Sequence, residues 1–240
     1  MRSHRFYTPI ELQINQSLAL PKEASHHCVQ VLRYQVDAEL TLFNGDGFDY
    51  IARIEAIENK QCQVKILSKN NPQNESPLSI HLFQGVAKGD KMDLIIQKSV
   101  ELGVTDITPI FTVRSNVKLD AKRLSKKHLH WQKIAISASE QCGRAIIAQV
   151  HNPLSLKQLT QLSSELTLIL DPQATTKIQT LPNCKSVCLV IGPEGGLSVE
   201  EIERLNQLGA KAANIGPRIL RTETAGLTSI AILQSQFGDL

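Results

Sequence analysis

Short apolar runs alternate with amphipathic segments over residues 187–240. Val187–Ile191 is brief and rich in β-branched residues, which predicts a buried strand. Ser198 then begins a helix, because Glu201 completes a capping box with it, and Gly209 ends that helix. The apolar stripe of the helix consists of Val199, Ile202, Leu205 and Leu208.

A second strand, a second loop and a final helix follow. Ala212–Ile215 reads as the strand. Thr222 or Thr224 can cap the last helix, Ala225–Phe237, which is apolar on most sides and is therefore expected to be buried. This alternation indicates an α/β fold, in which ligands bind at the loops beyond the carboxyl ends of the strands.

The middle of the chain repeats the alternation. Strands are predicted at Leu78–Val86, Ile107–Val113 and Leu166–Leu170. Helices are predicted from Asp90 to Gly103, over Ala121–Cys142, and across the leucines from 156 to 162. Trp131 lies on the apolar stripe of the long helix, so we expect it in the core or in a subunit interface.

The first 70 residues are richer in strand patterns. Glu39–Phe43 and Asp49–Glu55 flank Asn44–Gly47, a strong hairpin turn signal. The stretch from Cys62 to Ile66 alternates like a half-buried strand. A short helix is expected over Pro21–Arg33. Its inward residues are expected to be Ala24, Cys28 and Val31 or Leu32. These elements fit a small β-barrel.

The segment Ser68–Pro77 is polar and turn-forming throughout, which predicts a linker. We therefore divide the chain into residues 1–72 and residues 73–240.

Composition excludes several classes of protein. No apolar run approaches a membrane span, and the start lacks the hydrophobic segment of a signal peptide, so a cytoplasmic protein without a membrane partner is expected. The 5 cysteines are irregularly spaced, which favours a reducing compartment over a disulfide scaffold. We expect no metal site.

The charge distribution says more than the net charge of +3. Residues 1–75 carry 8 Lys/Arg against 9 Asp/Glu, whereas residues 76–240 carry 18 against 14. The stretch from Arg114 to Lys133 holds seven bases and one acid, which predicts a phosphate-binding face, with an ordinary solvated helix face as the alternative. The bases expected to bind RNA there include Arg114, Lys118, Arg123 and Lys126. Arg2 and Arg5 lie beside two aromatic residues, as in single-stranded RNA contacts.

Two glycine- and proline-marked loops carry the candidate chemistry. Gly192-Pro193-Glu194-Gly195-Gly196 lets backbone approach a ligand such as an adenine ring, with plain tight turns as the alternative. It matches neither the dinucleotide fingerprint nor the P-loop. In the second loop, Arg218, Arg221 and Glu223 crowd residues expected to be buried, among them Ile219, so these charges need partners or a function. One structural Arg–Glu ion pair is the alternative.

The loop sequences IGPEGGLSVEE and IGPRILRTETA resemble the signature of RsmE-type 16S ribosomal RNA uridine-N3 methyltransferases, in the SPOUT superfamily. Further matches are QKSVELGV, TPIFTVRS, WQKIAISASEQCGR and the opening MRSHRFY, which together span nearly the whole chain.

The resemblance implies a PUA-like barrel that binds RNA, followed by a C-terminal α/β domain tied in a deep trefoil knot. It also implies a homodimer that binds S-adenosylmethionine, releases S-adenosylhomocysteine, and modifies 16S ribosomal RNA or the assembled small subunit. The cofactor-binding residues it implies are Leu170, Gly192, Pro193, Gly195, Gly196, Ile215, Gly216, Leu220, Arg221 and Thr222. Arg144 joins the expected RNA contacts.

N3 of uracil carries a proton and is a poor nucleophile until that proton is lost. A cation near the ring oxygens favours the anion. Arg221 is the first candidate, with Arg144 or Arg114 as alternatives, and Glu194 or Glu223 can accept the proton or hold an arginine in place.

Other functions fit parts of the pattern. A related SPOUT methyltransferase can act on a transfer RNA base or on a ribose hydroxyl. A ribosome-assembly factor that binds RNA without catalysis is a second alternative, and a nucleotide-binding oxidoreductase is disfavoured by the missing fingerprint.

Overall fold

The computed structural model describes residues 4–115 and 120–240. The chain divides into two compact units, the first up to Glu75 together with Ser139–Ile147, and the second Ser76–Ala138 together with Ala148–Leu240. Arg2, among the expected RNA contacts of the first unit, and Lys118, among those of the second, lie outside the described residues.

The first unit contains a five-stranded sheet with the order β1-β3-β4-β5-β2. Its strands are β1 (Arg5–Tyr7), β2 (Ser17–Ala19), β3 (Glu39–Phe43), β4 (Asp49–Glu58) and β5 (Gln61–Asn70). β1 pairs with β3 in parallel, and the other pairs are antiparallel. The hairpin between β3 and β4 is confirmed, with Gly45 at φ +93° and Gly47 at φ +88° in its turn. The predicted linker begins later than expected, because β5 continues to Asn70.

Helix α1 (Lys22–His26) runs directly into a π-helical turn, His27–Val31. Cys28 is buried as predicted, and of the two alternatives for the next inward position Leu32 packs against the core, whereas Val31 is 59% exposed. A π-helical turn is wider than an α-helical one, and it rotates the following residues away from the 3.6-residue spacing on which the prediction rested.

The second unit is built on a parallel sheet with the order β12-β10-β11-β6-β7-β8, and β9 also pairs with β7. Its strands are β6 (Ser79–Gly85), β7 (Asp106–Phe111), β8 (Gln149–Val150), β9 (Leu154–Ser155), β10 (Leu166–Leu170), β11 (Ser186–Ile191) and β12 (Lys211–Ala213). Its helices are α2 (Lys91–Glu101), α3 (Ala121–Cys142, which extends into the first unit), α4 (Val199–Gln207) and α5 (Thr222–Phe237). The prediction of an α/β fold is confirmed.

Apolar cores cover both faces of this sheet. One face packs with α2, α3 and α5 around Ile80, Leu82 and Trp131, so Trp131 lies in the core of the unit. The other packs with α4 around Phe83 and Val190. Burial on both faces explains why these strands are continuous apolar runs, as is usual for parallel sheets.

The predicted helix across leucines 156–162 was wrong. A single 3₁₀ turn, Leu156–Gln158, stands there, and Leu156 and Leu159 are buried. Leucines spaced by three residues match the 3₁₀ period as well as the α period, so the pattern does not separate a turn from a helix.

Two details of α4 and α5 also differ from expectation. Val199 is the first residue of α4 and is 64% exposed, so the packed stripe is Ile202, Leu205 and Leu208. Neither Thr222 nor Thr224 caps α5, because Arg221 occupies the N-cap position and makes no side-chain capping bond.

The capping box of α4 is confirmed. The Glu201 amide donates to Ser198 Oγ at 3.3 Å, and Glu201 Oε2 accepts from the Ser198 amide at 2.9 Å. We expect Ser198→Ala to cost about 1 kcal/mol of stability, or about 2–4 °C in melting temperature for a chain of this size. Thermal unfolding followed by circular dichroism checks this. Ser137→Ala, at an exposed position on α3, is the matched control, and equal melting temperatures for the two variants would contradict the prediction.

Candidate functional site

The carboxyl ends of β10, β11 and β12 meet at one edge of the parallel sheet, and the loops that follow them enclose a cleft of about 600 Å³. This is where α/β sheets bind ligands. The cleft is lined by all ten residues expected to bind the cofactor, namely Leu170, Gly192, Pro193, Gly195, Gly196, Ile215, Gly216, Leu220, Arg221 and Thr222.

Glycine is required where β6 passes the loop after β11. A Cβ atom at Gly85 would lie 2.3 Å from the Pro193 nitrogen and 2.7 Å from the Gly192 carbonyl carbon. Both are backbone atoms that no rotamer change can move away. Gly85 therefore sets how closely this loop approaches the sheet.

The hydroxyl of Thr222 links the start of α5 to the loop after β11 through hydrogen bonds. It donates to the Gly192 carbonyl at 2.6 Å and accepts from Gln84 Nε2 at 2.9 Å. Gln84 and Thr222 are both buried. This network joins β6, the loop after β11 and the first turn of α5, which form one wall of the cleft.

Acidic and basic side chains meet beside the cleft. Lys91 Nζ lies 3.6 Å from Glu194 Oε1 and 3.4 Å from Glu223 Oε2. Lys91 and Glu194 line the cleft, but Glu223, a predicted proton acceptor, does not. Neither carboxylate pairs with an arginine among the described residues, so the alternative of an Arg–Glu pair was wrong.

Burial by itself would raise the pKa of Glu194. The Lys88 amide, which donates to Glu194 Oε1 at 3.0 Å, and the Lys91 ammonium outweigh burial, so the pKa of Glu194 lies below its ordinary value. The carboxylate is therefore ionised at neutral pH and is a weak base.

Arg218 and Arg221 line the cleft and are exposed. Within residues 4–115 and 120–240, no ion pair or side-chain hydrogen bond engages either guanidinium. The expectation that their neighbour Ile219 is buried was wrong, since it is 86% exposed. A loop of exposed residues explains why these charges need no protein partner.

Arg114 lies close to the glycine loop. Its Nη1 donates to the Gly195 carbonyl at 3.1 Å, and a Cβ at Gly195 would lie 2.9 Å from the Arg114 Cβ. Two other predicted RNA contacts, Arg123 and Lys126, lie on α3 and are exposed, and Arg123 is also 3.4 Å from Asp120. Exposed cations suit a phosphate-binding face.

The remaining expected RNA contacts, Arg5 and Arg144, are engaged within the first unit. Arg144 is buried, and its guanidinium contacts Glu75 Oε2 at 2.8 Å. Arg5 pairs with Asp49 and donates to the Arg144 carbonyl at 3.0 Å. These contacts favour a structural role for both arginines.

Sequence reasoning missed Gly85, Gln84 and Lys91. A glycine within an apolar strand is a known sign of close backbone approach, so Gly85 had a signal. Lys91 had none, because a lysine in the first turn of an amphipathic helix is typical of a solvated face.

Two kinds of feature, a metal-binding group and a membrane-spanning helix, are absent from the described part of the chain. Among those residues, no group of three or more His, Cys, Asp or Glu side chains is arranged to hold a metal ion. No helix found there is long and apolar enough to cross a membrane.

Comparison with known proteins gives two family matches. The RNA methyltransferase domain model matches residues 74–234, and the RNA methyltransferase PUA domain model matches residues 20–67. Ribosomal RNA small subunit methyltransferase E of Buchnera aphidicola is 41% identical, covering 100% of this chain and 98% of its own. The protein of that name from Bacillus subtilis is 31% identical, covering 95% and 94%.

Two solved structures share the fold over their full lengths. A methyltransferase from Legionella pneumophila in complex with S-adenosylmethionine is 43% identical, with a TM-score of 0.96 and 100% coverage of both chains. Ribosomal RNA small subunit methyltransferase E from Neisseria gonorrhoeae, bound to S-adenosylmethionine, is 36% identical, with a TM-score of 0.92 and the same coverage.

Proposed function

This chain belongs to the RNA methyltransferase family, and from that premise we propose that it methylates small-subunit ribosomal RNA with S-adenosylmethionine as donor. The observation that carries the proposal is the cleft at the ends of β10, β11 and β12, which all ten expected cofactor-binding residues line. Relatives named ribosomal RNA small subunit methyltransferase E and two structures holding S-adenosylmethionine support it.

The residues of the cleft fit this donor. Leu170, Ile215 and Leu220 offer apolar walls to an adenine ring, and the backbone of the glycine loop offers polar groups to its edge. When bound, S-adenosylmethionine supplies a methyl group on a positively charged sulfur, which a nitrogen lone pair can attack without a metal. The chain contributes alignment, which can lower the barrier by about 7–11 kcal/mol at best.

We propose N3 of a uridine as the acceptor, as the family resemblance implies. N3 must lose its proton before its lone pair forms the bond to the methyl carbon. The guanidinium of Arg221, exposed in the cleft and without a protein partner among the described residues, is suited to hold the ring oxygens and stabilise the anion. Arg114, at the neighbouring glycine loop, is the alternative cation.

Of the two predicted proton acceptors, Glu194 lines the cleft and Glu223 does not. Because its lowered pKa makes Glu194 a weak base, we expect Glu194→Gln to reduce the methylation rate by no more than about tenfold, below the roughly 10²–10⁴ typical of a matched base. Methyl transfer to unmodified small ribosomal subunits, followed with radiolabelled donor, measures this. The methylation rates of the wild type and of Glu194→Gln should both increase as pH rises. A loss of rate beyond 100-fold in Glu194→Gln would instead make Glu194 the proton acceptor.

The exposed bases Arg114, Arg123 and Lys126 are proposed to bind RNA phosphates, and the PUA domain is proposed to bind RNA as well. We also propose the deep trefoil knot and the homodimer of the SPOUT superfamily. The close approach of Gly85 to Pro193 and the Thr222–Gly192 bond are compatible with a knotted region. Light scattering in solution tests the homodimer.

Mass spectrometry of ribosomal RNA from a strain without this gene tests the function. We expect the loss of one N3-methyluridine from 16S RNA, restored by the wild-type gene. Loss of a transfer RNA or ribose methyl group would favour the related methyltransferases, and no loss at all would favour the non-catalytic RNA binder.

A further inference from the structure

The ammonium of Lys91 lies between two carboxylates from different parts of the chain. Glu194 belongs to the loop after β11 and Glu223 to the first turn of α5, at 3.6 and 3.4 Å from Lys91 Nζ. All three side chains are 30% exposed or less. The distances exceed those of good hydrogen bonds, so the attraction is that of neighbouring charges.

Glu223 depends on Lys91 more than Glu194 does. Glu194 Oε1 also accepts the Lys88 amide at 3.0 Å. The Oε2 atom of Glu223 is buried and has no hydrogen-bond partner in the described part of the protein, so the Lys91 charge is what compensates it. A partly buried carboxylate that loses its cation acquires another or takes up a proton.

The charges around the cleft show what Lys91 prevents. Lys91, Arg218 and Arg221 carry three positive charges there, and Asp171, Glu194 and Glu223 carry three negative charges, of which Glu194 and Glu223 are the two beside Lys91. With Lys91 in place, its charge compensates both carboxylates, and both arginines lack protein partners among the residues described. Without it, Glu194 and Glu223 lose their cation, and each of these two carboxylates can capture one of the arginines.

We propose that Lys91 is a positioning residue for methyl transfer, which occupies Glu194 and Glu223 so that Arg221 stays free for the substrate. This inference rests on the proposed function of the cleft. It gives the carboxylate pair a role that proton acceptance does not, and it explains why arginines and glutamates close in sequence do not pair with each other.

The test removes the Lys91 charge, first alone and then together with the partly buried carboxylate of Glu223. We expect Lys91→Met to lower kcat by about tenfold or more, because an ion pair to Glu223 withdraws Arg221 from the reaction. Affinity for S-adenosylmethionine, measured by calorimetry, should stay within about threefold, since Lys91 is not among the residues expected to bind the cofactor. Lys91→Arg should keep most of kcat because it keeps the charge.

The double variant Lys91→Met/Glu223→Gln separates positioning from a structural role. We expect it to regain most of the lost kcat, because the carboxylate that captures the arginine is gone. Lys98→Met is the matched control, since among the ion pairs of the described residues this lysine pairs only with Glu101 on the same helix, at 2.8 Å. Its kcat should equal that of the wild type.

The outcomes are distinct. A kcat of Lys91→Met equal to that of the Lys98→Met control overturns the proposal, as does a double variant no faster than Lys91→Met. The proposal is also overturned if Lys91→Met and the double variant lose the same amount of kcat and the same amount of melting temperature relative to the wild type. Such a result indicates a structural role for Lys91. If wild-type protein binds the donor but methylates no ribosomal RNA, the proposed function itself has failed.

Discussion

Arg221→Ala should lower the rate of methyl transfer by about 10²–10³, the loss seen when one group that stabilises a developing anion is removed. Arg221 lines the cleft, is exposed, and lacks a protein partner in the described residues, so its guanidinium is available to the uracil oxygens. Without it, N3 must lose its proton without the cation proposed to hold the ring oxygens, and the fraction of reactive anion falls.

Two measurements separate catalysis from binding. Single-turnover methylation of small subunits at saturating S-adenosylmethionine reports the chemical step, and calorimetry with S-adenosylmethionine reports separately how much Arg221 contributes to cofactor binding. Arg218→Ala is the matched comparison, because Arg218 lies in the same loop and also lines the cleft. We expect it to weaken RNA binding more than the chemical step. Unchanged turnover by Arg221→Ala would remove this arginine from the mechanism.

We expect Gly85→Ala to be the most destabilising addition of a single methyl group to the second unit. Its Cβ would lie 2.3 Å from the Pro193 nitrogen and 2.6 Å from Pro193 Cδ, so the loop after β11 must move away from β6. Overpacking of this kind costs about 1–3 kcal/mol in stability. Because the displaced loop lines the cleft, we also expect affinity for S-adenosylmethionine to fall by about tenfold or more.

Gly226→Ala is the control for Gly85→Ala. A Cβ at Gly226 has its nearest neighbour, Gln84 Oε1, at 3.4 Å, which is an ordinary contact, and alanine is the better helix former within α5. Thermal unfolding and calorimetry on both variants provide the comparison. If Gly85→Ala binds the donor as tightly as Gly226→Ala does, the close approach at Gly85 is not what shapes the cleft.

Much of the fold could be predicted because its signals are local. The bounds of α3 and of β10 match the predicted helix and strand, and the capping box at Ser198 marks the start of α4. Where local patterns fit two structures, prediction failed. The leucines from 156 to 162 match a 3₁₀ turn as well as a helix, and the exposed loop around Ile219 follows from tertiary packing that apolar character does not indicate.

In the candidate site, too, some features could be predicted from local sequence and others could not. Glycine, proline and charged residues in two short loops were enough to predict that these loops could approach a ligand, because backbone clearance and charge are properties of residue type. The individual cofactor-binding residues were implied by the family resemblance. The partner of each charge was not predictable. Lys91 lies more than 100 positions from both Glu194 and Glu223, and its two contacts take the place of the arginine–glutamate pair that was the alternative interpretation.

By itself, the sequence determined the alternation of strands and helices, the basic stretch and the two glycine- and proline-marked loops. Propensity, capping and glycine content act within a few residues of the chain. The tertiary structure alone decided that β6 leaves no room for a side chain at Gly85, that Thr222 binds a distant carbonyl, and that Lys91 satisfies both glutamates. These features depend on the order of parallel strands, which brings distant segments within a few ångströms, where steric exclusion and charge act strongly.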